Sequence, residues 1–229
     1  MEKSIFMIFQ ENHQLAYNKI MLNMSNLIFF VVIITFIHFI YLDVRKINTD
    51  TRDLFWILFI CTFTELVTKI LTYYNISLWY LYNFSFIVHN SLWLKILLRD
   101  DYSYQKKIIG CYIFFSSIIY GFIDTTNFFN KIIMIVGALI YLVLFIVISY
   151  KNLKDENIGF FKSNHFILIS SPIIFFFGLS ILFGFNSMKL IKTIVFGNVT
   201  LYRFIIIFVN IIYYSLLNIY IIKEKRDYA

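Results

Sequence analysis

Seven apolar runs, at about residues 24–42, 54–73, 78–98, 108–123, 132–150, 166–185 and 204–222, each approach the length of a bilayer crossing. A hydrocarbon core of about 30 Å takes about 20 residues of helix at about 1.5 Å each. Seven such spans occupy about 140 of the 229 residues, so the six connections and two tails are too short to fold separately. The expected fold is therefore an all-α seven-transmembrane-helix bundle. Its parts are an N-terminal tail over 1–23 lying at the interface, one helical domain over 24–222, and a basic tail over 223–229. Composition agrees: 60% of residues are hydrophobic, 14% are charged, and the mean hydropathy is +0.77.

Lysine and arginine set the expected orientation, because short cytoplasmic loops retain positive charge. Thirteen fall on one side (Arg45, Lys46, Arg52, Lys95, Arg99, Lys106, Lys107, Lys151, Lys154, Lys162, Lys223, Lys225, Arg226). Six fall on the other (Lys3, Lys19, Lys131, Lys189, Lys192, Arg203), and Lys69 lies inside a span. The N-terminus is thus expected outside, the C-terminus in the cytoplasm, and the chain in the inner (plasma) membrane. The net charge of +7 is accounted for by loops against anionic headgroups, with no nucleic-acid partner. Glu2 and Lys3 precede an apolar stretch, 5–9, too short for a cleavable signal. Tyr41, Trp56, Tyr102, Tyr104, Tyr150 and Tyr220 are placed at the inner boundary, and Tyr73, Tyr74, Trp79, Tyr80 and Tyr202 at the outer one. Cys61 and Cys111 fall within spans, where thiols act as small apolar groups without a disulfide or redox role.

Within this apolar frame the second span carries Glu65 and Lys69 one turn apart near mid-bilayer, where ionisable groups are costly and face a bundle interior or a watered cavity. Thr62, Glu65, Lys69 and Thr72 form one stripe that should avoid lipid. Glu65 is expected either to pair with Lys69 or to remain a neutral carboxyl. The third span brings His89 and Asn90 to the depth of Glu65, and the short 74–77 connection makes these helices antiparallel neighbours. A contact from Glu65 to His89 or Asn90 follows as an expectation; it could move protons or act as static glue. Asn83 shares a face with Asn90, while Ser85 and His89 form an adjacent pair; Asn210, Tyr214 and Asn218 make a stripe on the seventh span. The expected polar core is Glu65, Lys69, Asn83, His89, Asn90, Asn210, Tyr214 and Asn218. His38, alone on the first span, reads as a packing residue, and Asp124 and the Arg99-Asp100-Asp101 run read as solvated. Pro172 should kink the sixth span, with Ser170 and Ser171 bonding the carbonyls it frees.

Several chemistries lack their residues. A retinal Schiff base needs a lysine deep in the last helix, and none lies between Arg203 and Lys223. His13, His38, His89 and His165 have no paired metal-ligand spacing, and no G-x-S-x-G, Walker or H-E-x-x-H motif occurs. No internal repeat marks an alternating-access carrier. No cofactor, metal or catalytic residue is expected. The runs Trp79-Tyr80-Leu81-Tyr82-Asn83 and Asn210-Ile211-Ile212-Tyr213-Tyr214-Ser215-Leu216-Leu217-Asn218, the latter before a basic tail, resemble patches in small uncharacterised bacterial seven-helix integral membrane proteins. The resemblance implies the seven-helix topology and no particular activity. Members often carry an acidic residue where His89 and Asn90 stand here.

The resulting expectation is a small sensor or signalling accessory with a polar intramembrane pocket, its partners the lipid bilayer and a cytoplasmic or membrane signalling protein. The alternatives are a carrier or proton-coupled transporter using Glu65, Lys69 and His89, and a membrane-embedded lipid-modifying enzyme.

Overall fold

A computed structural model describes residues 27–43, 48–74, 76, 78–100, 102–122, 131–184, 193–196 and 199–228. The described chain is all-α apart from one small hairpin. Helices α1 (Leu27–Tyr41), α2 (Thr49–Tyr73), α3 (Trp79–Leu97), α4 (Tyr102–Phe122) and α5 (Lys131–Lys154) are followed by the short α6 (Ile158–Lys162). Then come α7 (Asn164–Gly184), β1 (Ile194–Phe196), β2 (Val199–Thr200) and α8 (Leu201–Tyr228). The tail over 1–23, Asp101, Asp124 and the ends of several expected spans lie outside the described residues.

A helix underlies the described part of each of the seven apolar runs, and among the described residues three, α2, α5 and α8, are long and apolar enough to cross a membrane. Helices α1 and α7 contain shorter apolar stretches. Only 28% of the most apolar window of α2 is buried within the protein, and the same share holds for α5. The rest presents side chains such as Phe63, Leu66, Val143, Ile146 and Val147 outward.

Element boundaries follow local chemistry. Helix α2 begins five residues before the expected 54 because Asn48 and Thr51 form a reciprocal capping box: Asn48 Oδ1 accepts from Thr51 N at 2.8 Å, and Thr51 Oγ1 from Asn48 N at 3.1 Å. Asp50 in the first turn also suits the positive end of the helix dipole. Helix α7 continues through Pro172, which has no N–H for the Leu168 carbonyl; Ser171 Oγ donates to that oxygen at 2.8 Å instead. A left-handed Glu156 (φ 53°) turns the chain into α6, capped by Asn157 Oδ1 accepting from Phe160 N. The antiparallel hairpin β1–β2, absent from the sequence expectation, delivers the chain into α8.

Helix α7 packs along α8, α3 against α2, α4 and α5, and α5 against α7. Helix α1 joins through Phe36 and Phe39, whose rings pack on Phe55 of α2. The continuous core, with Leu54, Ile57, Trp93, Leu94, Leu168 and Leu217 fully buried, fills the half of the bundle that contains Asn48. Gly137 of α5 permits the close approach of α3: an added Cβ would overlap Asn90 Nδ2 and lie 3.0 Å from Tyr112 OH. Gly178 of α7 plays the same part against Val209 of α8.

Candidate functional site

Toward the Tyr202 end the packing opens into a cavity of about 230 Å³. Helix α2 contributes Cys61, Thr64 and Glu65, and α3 contributes Tyr82, Ser85, Phe86 and His89 at i, i+3, i+4, i+7 spacing. Helix α8 supplies Tyr202, Ile206, Asn210 and Tyr214, an unbroken i+4 series. Ile28 and Val32 of α1 and Phe175 of α7 complete the wall. Thr64 Oγ1 and Ser85 Oγ, 2.6 Å apart, tie α2 to α3 at this level.

Four of the eight residues expected in the polar core, Glu65, His89, Asn210 and Tyr214, line this one chamber. Asn210 Nδ2 donates to the Ile206 carbonyl at 2.8 Å, leaving its Oδ1 as the acceptor of that side chain. Lys69 lies one turn beyond Glu65 with Nζ 5.3 Å from the centroid of the Phe29 ring. The stripe is not wholly sheltered, since Thr72 is exposed while Thr62 is buried and donates to the Leu58 carbonyl at 2.8 Å.

The direct contacts made by α3 differ from expectation. His89 lines the chamber with Glu65, and its Nε2 accepts from Trp93 Nε1 at 3.3 Å and lies 3.4 Å from Tyr213 OH on the chamber floor. Trp93 Nε1 also donates to Tyr213 OH at 3.2 Å. With Nε2 an acceptor, the proton of the neutral ring sits on Nδ1, which is buried with no hydrogen-bond partner among the described residues. Asn90 turns to α4 and donates to Tyr112 OH at 2.9 Å, and Asn83 is fully buried outside the chamber lining.

Asn218 belongs to a second polar knot. Its Nδ2 donates to Thr35 Oγ1 at 2.9 Å and its Oδ1 lies 2.6 Å from His38 Nδ1, joining α8 to α1. His38, expected to stand alone, is thus the partner of a candidate residue 180 positions away. Composition gives no sign of this pair, because spacing along one helix cannot report which distant helix it faces.

A third group, unanticipated as a unit, closes the Asn48 end. Asp50, 3% exposed, accepts from Arg99 Nη1 at 2.6 Å and lies 2.9 Å from His165 Nδ1. Asp53 accepts from Lys95 Nζ at 2.7 Å, and the Lys95 carbonyl accepts from Gln105 Nε2 at 2.7 Å. Glu224 of α8 is gripped by two amides, Asn164 Nδ2 at 2.9 Å and Asn48 Nδ2. Burial holds the Glu224 carboxyl above its ordinary range, while Asn164 opposes the shift and Asp50 adds to it. Arg99 is therefore a clasp residue, not simply a solvated one. The missed signal was Asp50 and Asp53 one turn apart at a helix start, facing basic residues at the end of the neighbouring antiparallel helix.

The three groups divide the labour chemically. The clasp and the Asn218 knot are composed of mutually satisfied partners, as static interhelical links are. The chamber alone combines open volume, a carboxyl group and aromatic faces. Comparison with protein-family models, curated proteins and solved structures finds no match to this chain.

Proposed function

We propose that this chain is a multi-pass membrane protein with seven crossing helices, its N-terminus outside and its C-terminus in the cytoplasm, in the inner membrane. Its chamber is a ligand site, and the protein is a small sensor or signalling accessory. The outward apolar belt on α2, α5 and α8 supports membrane embedding, since soluble monomers rarely expose contiguous apolar patches above a few hundred Å². The observation that carries the ligand site is the chamber itself: Glu65, Asn210 and Tyr214 converge on about 230 Å³ from two different helices. That volume exceeds that of an apolar cavity of about 150 Å³ that holds benzene, enough for a small organic molecule.

A carrier using Glu65, Lys69 and His89 would need the chamber to continue toward the Asn48 end. The floor is instead packed by Trp93, Tyr213 and Phe176, all buried, which favours capture of a ligand over its passage. The small loops leave a signalling role to a partner protein, reached through the membrane or the cytoplasmic face.

Native mass spectrometry of the full chain extracted from its own membranes tests the site. The expected result is a bound small molecule or lipid, displaced in Ser85→Trp, which fills the chamber, while the purified variant remains helical. Absence of any ligand-dependent mass in the unmodified protein would overturn the reading.

A further inference from the structure

We infer that the chamber takes an organic cation, its alkylammonium head held by the Glu65 carboxylate within the aromatic walls of Tyr82, Phe86, Phe175, Tyr202 and Tyr214. This rests on the chamber being a ligand site and adds the chemistry of the ligand. Among the described residues, the lining holds one carboxyl group and no lysine or arginine. An anionic head would meet Glu65 with no cation in the lining to receive it, and a purely apolar occupant would desolvate that carboxyl and the surrounding hydroxyls without replacing their hydrogen bonds. A cation answers both demands, because ring faces carry negative electrostatic potential and attract ammonium groups most strongly where water is excluded.

The volume sets a scale for the part of the occupant that enters. An apolar cavity of about 150 Å³ accommodates benzene, so the present volume suits a head group with a short substituent of roughly nine heavy atoms in all. The Tyr202-Ile206-Asn210-Tyr214 series runs the depth of the wall, which places hydroxyl and amide groups beside any polar substituent on such a cation. Lys69, outside the lining and over Phe29, stands one helical turn from the same carboxyl. An entering cation therefore shares Glu65 with it, which lowers affinity without removing the preference for positive charge.

The test uses the full chain in a neutral maltoside micelle, free of choline lipids, with choline as probe beside the neutral alcohol in which carbon replaces its quaternary nitrogen. Binding is followed by saturation-transfer NMR titration. Choline is expected to bind about tenfold or more tightly than the alcohol, and Glu65→Gln to erase that difference, since a tenfold preference needs only a modest interaction energy. Tyr202→Leu, which keeps the carboxyl and removes one ring, is expected to weaken choline several-fold more than it weakens the alcohol. Lys69→Gln is expected to tighten choline. Equal binding of the two probes would overturn the cation assignment while leaving the chamber a ligand site. Binding of neither would also overturn the assignment, and the mass of the natively purified protein would then decide independently whether the chamber is occupied.

Discussion

Asp50 is nearly as buried as any apolar core residue, and two side chains from helices distant in sequence meet its one carboxyl. Removing one partner of a buried charge exposes its desolvation cost, whereas removing both releases it. Arg99→Gln is therefore expected to destabilise the protein by about 1–3 kcal/mol, below the range for fully buried pairs because the Arg99 side chain is 41% exposed. The double variant Asp50→Asn with Arg99→Gln should recover part of the loss, as read by thermal unfolding in detergent. Glu224 makes the neighbouring prediction in pH. Its folded carboxyl is held above the ordinary value of 4.5, so protonation favours the folded state. Stability from this group is full below the unfolded value and is lost as pH rises from about 4.5 through the raised one. Glu224→Gln should flatten the thermal-unfolding profile across that window; an unchanged profile would show the carboxyl to be indifferent to folding.

Helix packing depends on two glycines that let backbones close. Gly137→Ala is expected to cost about 1–3 kcal/mol by overpacking and to release Asn90 from Tyr112. Loss of thermal stability checks the first effect, and the ultraviolet signature of a Tyr112 freed from its amide partner checks the second. Element content was largely legible, because apolar runs of helical length have few alternatives, and the serine repair at Pro172 follows from the chemistry of a missing N–H. The chamber was legible in half its expected residues, Glu65, His89, Asn210 and Tyr214, since each sits on an i, i+4 face with other polar groups. Asn90 and Asn218 went elsewhere because a face predicts burial but not the helix that buries it. Cys61 and Tyr82, one turn from recognised candidates on the same faces, looked like ordinary apolar residues among many. The clasp escaped because its members come from five separate stretches of chain, at Asn48–Asp53, Lys95–Arg99, Gln105, Asn164–His165 and Glu224.

At the scale of the molecule, the two halves of the bundle are built differently. The Asn48 half is cross-linked by charge, and the Tyr202 half holds the chamber beside a smaller packed cluster around Met134 and Val209. In the proposed orientation, which follows the charge bias, the former faces the cytoplasm. A reporter fused to the C-terminus should accordingly fluoresce or fold only when cytoplasmic; strong activity of a periplasm-only enzyme there would reverse the orientation. The mooring of Glu224 by Asn48 and Asn164 has a mechanical corollary. Helix α8 is anchored at its foot and pressed against Gly178 at Val209, with about 20 Å of rod below that contact and about 10 Å above it. Fastened there, it resists sliding more than tilting. Any guest that pushes Tyr202 outward would load the rod as a lever across Val209, and the strain would arrive as tension on the two amides that grip its far end.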